Sequence, residues 1–111
     1  MKHASIVSGL IMAVFAAGAV RAADMPEYTL AIKDHKFQPA QLTVPANTKF
    51  RLIVVNQDAT PSEFESVEFN REKIVLPNSR VTVFVGPLDK GRYKFFDDFH
   101  QETGQGVLVV Q

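Results

Sequence analysis

The chain has 111 residues, with 12 basic and 12 acidic side chains, so its formal net charge is zero. This length supports one small domain, and the balanced charge argues against nucleic acid or an anionic membrane as a partner. The chain has no cysteine. No disulfide can therefore stabilise the domain, and no thiolate can bind a metal ion.

Residues 1–22 have the pattern of a secretory signal peptide. Lys2 gives a basic start, residues 6–20 are apolar, and small residues at Ala22 and Ala23 suit signal peptidase. The apolar stretch is too short and wrongly flanked for a membrane anchor. Cleavage after Ala22 would leave 89 residues, with 10 basic and 12 acidic side chains. We expect residues 23–111 to form one domain in the bacterial periplasm.

The residue pattern of positions 23–111 predicts β-strands throughout. Alternating or short buried apolar segments are separated by Pro, Gly or Asn. This spacing predicts an all-β, antiparallel sandwich. Two stretches, residues 56–71 and 97–106, are predicted to be strand-free loops rich in acids, with one helical turn possible after residue 62. The predicted strands are residues 28–32, 41–44, 50–55, 73–76, 80–85, 92–96 and 107–110.

The second of these loops carries the most informative side chains. It contains Asp97, Asp98, His100 and Glu102. Carboxylates and an imidazole clustered in this way are typical of a metal site, because a cation offsets their repulsion. If the chain stays extended after Phe96, alternate side chains share a face. Asp98, His100 and Glu102 would then lie together, and the first two could chelate one ion.

The order of the predicted strands resembles that of cupredoxins over essentially all of residues 23–111. The motifs Thr-Pro-Ser-Glu-Phe-Glu-Ser at 60–66 and Phe-Phe-Asp-Asp-Phe-His at 95–100 narrow this resemblance. They are similar to cysteine-free, cupredoxin-like periplasmic proteins of bacterial ferrous-iron uptake systems of the Ftr and Efe kind. The resemblance implies a Greek-key β-sandwich and a copper or iron ion as cofactor. It also implies two partners, a periplasmic iron-binding protein and a membrane iron permease.

A cupredoxin with type 1 copper carries a cysteine, a histidine and an axial ligand in its last loop, and a second histidine upstream. In this chain the resemblance places Asp97 at the cysteine, His100 at the histidine and Gln105 at the axial ligand. The upstream histidine falls near Ser62 or Glu63. Without a thiolate the chain cannot form a blue-copper centre.

The resemblance also implies that both acidic loops and His35 lie at one end of the sandwich. The predicted metal site is therefore His35, Glu63, Asp98 and His100. Two imidazoles and two carboxylates suit iron(II), manganese(II), zinc or copper(II). Oxygen-rich ligation stabilises iron(III) over iron(II), so oxidation of ferrous iron before transport is an open possibility.

Structural roles for these side chains also stay open. His100 is flanked by phenylalanines and could be a core histidine bonded to the backbone. Asp97 could accept a hydrogen bond that orients His100 instead of binding metal. Glu65 could pair with a basic neighbour such as Lys73, and Glu72 with Lys73 reads as an ion pair at a strand end.

Three functions remain open on the sequence. The first is a periplasmic metal-binding component of ferrous-iron uptake, with or without oxidation of iron(II). The second is a metal-free interaction module that docks on a permease or partner through its acids. The third is a metallochaperone without redox turnover. The absence of cysteine and of methionine clusters argues against a copper(I) carrier, because copper(I) prefers sulfur ligands.

Overall fold

The computed structural model describes residues 25–111, so the predicted signal peptide lies outside the described residues. This part of the chain contains no helix, and hence none that is long and apolar enough to cross a membrane. The strands in it are β1 (Glu27–Lys33), β2 (Lys36–Gln38), β3 (Gln41–Val44), β4 (Phe50–Asn56), β5 (Ser62–Ser66), β6 (Arg71–Val75), β7 (Arg80–Val85), β8 (Gly91–Asp97) and β9 (Gln105–Val110).

The strands form two sheets, which confirms the predicted all-β sandwich of one domain. One sheet has the order β2-β1-β4-β7 and the other the order β3-β9-β8-β5-β6. Strands β1 and β4 are parallel, as are β3 and β9, so the predicted antiparallel arrangement is wrong for these two pairs. The other neighbouring strands pair antiparallel as predicted. Parallel neighbours cannot be joined by a tight hairpin, and each of these pairs is accordingly linked by a longer excursion of the chain.

The core lies between the sheets and comes from the inward positions of each strand. Three buried phenylalanines form its centre, where the rings of Phe37 and Phe64 lie 4.9 Å and 5.4 Å from that of Phe95. Such aromatic contacts add to the gain from burying apolar surface. Two further phenylalanines and a set of aliphatic side chains complete this core, namely Phe50, Phe69, Leu30, Ile32, Val44, Leu52, Val54, Val75, Val83, Val85, Leu108 and Val110.

Strand β5 lies where the sequence predicted a loop with one helical turn, so that prediction is wrong. Ser62, Phe64 and Ser66 point inward and are buried, while Glu63 and Glu65 point outward and are half-buried. The strand pairs with β6 on one side and β8 on the other. A serine can face the interior here because the Ser66 hydroxyl donates a 2.7 Å hydrogen bond to the carbonyl of Lys94.

The loop after β8 is folded back on itself, so the prediction of an extended loop is wrong. The amide of His100 donates to the carbonyl of Asp97 at 3.0 Å, and that of Gly104 donates to the carbonyl of His100 at 2.8 Å. These turns end the alternation of side chains at Asp98. The predicted common face of Asp98, His100 and Glu102 therefore does not form, and His100 returns toward Asp97.

The hairpin of β1 and β2 was not predicted, because β2 has only three residues. Its connecting residues are Asp34 and His35, with φ of 52° and 60°. Two successive residues with positive φ are the mark of a type I′ turn, which matches the twist of the strands. The hairpin presents His35 at the end of the sandwich that also carries His100.

Candidate functional site

The two histidines predicted as ligands meet at one end of the sandwich. The rings of His35 and His100 are stacked, with centroids 3.6 Å apart and an interplanar angle of 11°. His35 Nε2 lies 3.1 Å from the Thr60 hydroxyl, and His100 Nδ1 lies 2.9 Å from Asp97 Oδ2. One nitrogen of each ring, Nδ1 of His35 and Nε2 of His100, is left free of these contacts.

The stacking limits how this histidine pair can bind a metal. An imidazole binds an ion in its own plane, at a distance of about 2.0–2.1 Å. The planes of His35 and His100 are nearly parallel and separate, so one ion cannot lie in both. Each ring can offer its free nitrogen alone, and chelation by both would require one ring to turn.

Asp97 is the last residue of β8 and is completely buried. Its Oδ1 accepts hydrogen bonds of 3.0 Å from the amides of Glu63 and Phe99, and its Oδ2 contacts His100. Burial acts to raise the pKa of Asp97, but the neighbouring Ser62 hydroxyl, the two amides and His100 together lower it. Asp97 is therefore a carboxylate, and it makes the contact that would orient His100.

The positions aligned with copper ligands thus hold a different set of groups. Ser62, at one of the two positions aligned with the upstream histidine, is fully buried. Its Oγ makes no properly oriented hydrogen bond within residues 25–111, although it lies near enough to lower the pKa of Asp97. The oxygens of Asp97 are already engaged by two amides and an imidazole. This interior position does not fit a copper ion of the type 1 kind.

Glu63 and Asp98 lie on the outer face of the five-stranded sheet. Glu63 follows the inward-facing Ser62 within β5, and Asp98 directly follows Asp97, the last residue of β8. The amide of Asp98 donates a 2.9 Å hydrogen bond to the carbonyl of Glu63. The structure thus separates the four predicted ligands into two pairs. His35 and His100 stack at the end of the sandwich, while Glu63 and Asp98 are neighbours on the outer face.

Two further glutamates complete a carboxylate cluster on this face. Glu63, Glu65 and Glu72 each offer an oxygen within 4.8 Å of the others. Glu65 lies directly opposite Glu72 in the pairing of β5 with β6. We call Glu63, Glu65, Glu72 and Asp98 the carboxylate face.

The carboxylate face contains acids whose ionisation is disfavoured when no cation is bound. Partial burial raises the pKa of Glu63 to about 7, with further contributions from Asp98 and Glu72. The pKa of Glu65 is also raised, by desolvation and then by Glu72 and Asp98. Acids that are desolvated and repelled in this way favour a bound cation, and an all-oxygen donor set suits hard ions such as manganese, magnesium and calcium.

Sequence analysis did not predict that two further glutamates lie beside Glu63. It treated Glu65 and Glu72 as partners of lysine, whereas the structure sets them against each other. The signal was the alternation of glutamate with serine and phenylalanine over residues 62–66, which marks a strand. Once that strand is recognised, a hairpin with residues 71–75 brings the glutamates together.

The chain resembles known proteins in sequence and in structure. It matches the family model of the cupredoxin-like domain over residues 5–110. An uncharacterized protein of Rickettsia prowazekii (strain Madrid E) is 49% identical over 84 residues, which are 76% of this chain and 67% of that protein.

Several solved structures share the fold at low sequence identity. The metal binding domain of the Cu(I)-exporting P-type ATPase CopA of Streptococcus pneumoniae D39 has a TM-score of 0.69 and 11% identity, covering 77% of this chain and 84% of that domain. Amicyanin of Paracoccus versutus has a TM-score of 0.62 and 19% identity, covering 83% and 90%. Auracyanin A, a "blue" copper protein of Chloroflexus aurantiacus, has a TM-score of 0.67 and 17% identity, covering 77% and 98%.

Proposed function

The chain belongs to the cupredoxin-like domain family, and we propose that it is a periplasmic metal-binding component of a ferrous-iron uptake system. The observation that carries the proposal is the carboxylate face, where three glutamates offer oxygens within 4.8 Å of one another. The signal-peptide pattern supports export. The motifs at 60–66 and 95–100 support iron uptake, with a periplasmic iron-binding protein and a membrane iron permease as partners.

Iron is the cargo that we assign to the carboxylate face. Its four side chains offer only oxygen, a donor set that also suits manganese, magnesium and calcium, and the motifs at 60–66 and 95–100 favour iron among these ions. A bound cation would also offset the desolvation, and the repulsion by Asp98 and Glu72, that together raise the pKa of Glu63. Glu63 and Asp98 keep their predicted role as ligands in this proposal, and Glu65 and Glu72 join them.

Copper is the second candidate ion, and the histidine pair is its proposed place. Copper(II) accepts imidazole nitrogen, and each ring has one nitrogen free of the contacts with Thr60 and Asp97. The CopA metal binding domain, which has the same fold, was solved with copper as Cu(I). In this proposal the free Nε2 of His100 binds copper, His35 joins the same ion only when one ring turns out of the stack, and Asp97 keeps the His100 ring in orientation.

Calorimetric titration of the purified, metal-free protein tests both assignments. We expect Glu63→Gln and Asp98→Asn to weaken iron(II) binding under anaerobic conditions and to leave copper(II) binding unchanged. His100→Ala should weaken copper(II) binding only. Asp89→Asn serves as a control, because Asp89 is exposed and lies outside both sites. Binding of neither ion below millimolar concentration would contradict the proposal and favour the metal-free interaction module.

Oxidation of iron is measured separately from binding. We expect the protein to increase the rate at which ferric iron forms in aerated buffer, because oxygen ligands favour iron(III). Glu63→Gln should lower that rate to the rate of buffer alone. Tight binding without any increase in rate would instead indicate a metallochaperone.

A further inference from the structure

The β1–β2 turn that carries His35 is held by a side chain from another loop. Asp58, which lies just after β4, accepts two hydrogen bonds from this turn. The amide of Asp34 donates to its Oδ1 (2.8 Å), and the amide of His35 donates to its Oδ2 (3.0 Å). These are the two turn residues with positive φ, a conformation that is uncommon for residues other than glycine, although Asp and His adopt it more often than most. Two hydrogen bonds to a carboxylate are strong enough to offset that cost.

Asp58 is itself held in place by its own loop. Its amide donates to Asn56 Oδ1 at 2.9 Å, and its carbonyl accepts the amide of Asn78 at 3.1 Å. Asn56 is buried, and its Nδ2 donates to the carbonyls of Thr60 (2.9 Å) and Val75 (3.1 Å). The carboxylate of Asp58 therefore reaches the turn from a well-braced loop.

The lowered pKa of Asp58 is consistent with these two hydrogen bonds. Partial desolvation acts to raise the pKa of Asp58, but the amides of His35 and Asp34 outweigh it and lower the pKa. The same loop also holds the ring, because the Thr60 hydroxyl lies 3.1 Å from His35 Nε2. His100 is fixed from a different side by Asp97.

We propose that Asp58 is a positioning residue, which holds His35 so that its imidazole stacks on that of His100. Asp58 fixes the backbone of His35, Thr60 fixes the far ring nitrogen, and the stack results from both. The importance of the stack for copper rests on the function proposed above. The positioning itself does not, since it concerns the protein without metal.

Proton NMR of the metal-free protein tests the proposal with the variant Asp58→Ala. Two rings stacked at 3.6 Å shift each other's protons upfield. In Asp58→Ala we expect the ring protons of His35 and His100 to lose most of this upfield shift.

Two further variants make the result decisive. Asp89→Ala is the matched control, and its histidine signals should equal those of the wild type. Asp58→Asn keeps one acceptor oxygen and should lose part of the upfield shift, so it replaces Asp58→Ala if the backbone spectrum shows that the latter is unfolded. An unchanged upfield shift in a folded Asp58 variant overturns the proposal. If the shift is lost but wild-type protein binds no copper, the positioning role stands and the copper assignment fails.

Discussion

Asp97 Oδ2 lies 2.9 Å from His100 Nδ1, which joins a completely buried carboxylate to a largely covered imidazole. The other oxygen of Asp97 accepts the amide of Glu63, whose side chain lies on the carboxylate face. One buried residue therefore supports both candidate sites, the histidine pair through a side chain and the carboxylate face through the backbone of β5. The end of β8 is the point where the two sites share their scaffold.

Replacing Asp97 with alanine is expected to destabilise the domain strongly. The amides of Glu63 and Phe99 and the ring of His100 would lose their acceptor. A donor left unpaired away from water costs about 1–3 kcal/mol, and these three hydrogen bonds are partly buried, so we expect a loss of about 3 kcal/mol in the free energy of unfolding. Urea denaturation measures this change.

The neighbouring residue provides the control for Asp97. Asp98 lies on the outer face, where its Oδ1 accepts a 2.7 Å hydrogen bond from Nε2 of the exposed Gln101. Its carboxylate also contributes to the raised pKa of Glu63. Asp98→Ala should change the free energy of unfolding by less than about 1 kcal/mol. Equal losses in the two variants would contradict the structural role assigned to Asp97.

The raised pKa of Glu63 predicts a specific dependence of stability on pH. Because this pKa is about 7 in the folded protein and 4.5 ordinarily, the folded state holds a proton that the unfolded state releases between these values. The contribution of Glu63 to stability therefore falls as pH rises through this window. Removing the acid should benefit the protein at high pH and change little at low pH.

Urea denaturation of wild type and Glu63→Gln, with a chelator present, measures this effect. We expect the variant to gain stability relative to wild type between pH 4.5 and pH 8, with the gain concentrated between pH 4.5 and about 7. A stability difference that is the same at both ends of the range would show that the folded protein does not hold the Glu63 proton.

The pair of Glu65 and Glu72 predicts that a charge reversal stabilises the sheet. The two residues are directly opposite each other on β5 and β6, where like charges destabilise and opposite charges contribute about 0.2–1 kcal/mol. Glu72→Lys should therefore raise the free energy of unfolding, and Glu72→Gln should raise it by less. The same Glu72→Lys change should weaken iron(II) binding, because it places a positive charge among the proposed ligands.

Salt separates this electrostatic effect from a packing effect. The range of charge interactions falls from about 10 Å at 0.1 M salt to about 3 Å at 1 M. The advantage of Glu72→Lys over Glu72→Gln should shrink accordingly in denaturation curves at the two salt concentrations. A Glu72→Lys protein that is less stable than Glu72→Gln at low salt would be inconsistent with repulsion between Glu65 and Glu72.

Much of the fold follows from the alternation of residue types. The β-branched run in β7 and the mixed pattern in β4 mark strands because each has inward apolar positions, such as Val83 and Leu52. Strand β5 was not predicted from the sequence, because the polar residues Ser62 and Ser66 occupy two of its inward positions. A polar residue can be buried when the surrounding structure supplies a hydrogen-bond partner, as the Lys94 carbonyl does for Ser66. Because that partner lies on another strand, the local sequence pattern does not reveal it.

The site was less predictable than the fold, for a physical reason. The resemblance to cupredoxins predicted that His35 and His100 lie at the same end of the sandwich, and their rings are stacked there. The division of the predicted ligands into two pairs depends on where alternation stops. It stops after Asp98, because the hydrogen bond from the His100 amide to the Asp97 carbonyl starts a turn. A metal role for the four residues stays a prediction.

A methyl group at position 104 is expected to disturb the turn that supports His100. A Cβ on Gly104 would lie 2.6 Å from Asp97 Cβ and 3.0 Å from the carbonyl oxygen of His100. Overpacking of this kind costs about 1–3 kcal/mol, and we expect Gly104→Ala to lower the free energy of unfolding by that amount. The NMR signals of the His100 ring should shift as well, because its contact with Asp97 is displaced.

A double-mutant cycle identifies the clash as the cause. Asp97→Gly removes the Cβ that the new methyl group would meet, so Gly104→Ala should cost less in that background than in the wild type. The difference between the two costs is the coupling energy of the pair. Thr103→Ala, at the exposed neighbouring position, should change stability by no more than about 0.5 kcal/mol in either background. Equal costs of Gly104→Ala in both backgrounds would mean that the methyl group acts on something other than Asp97.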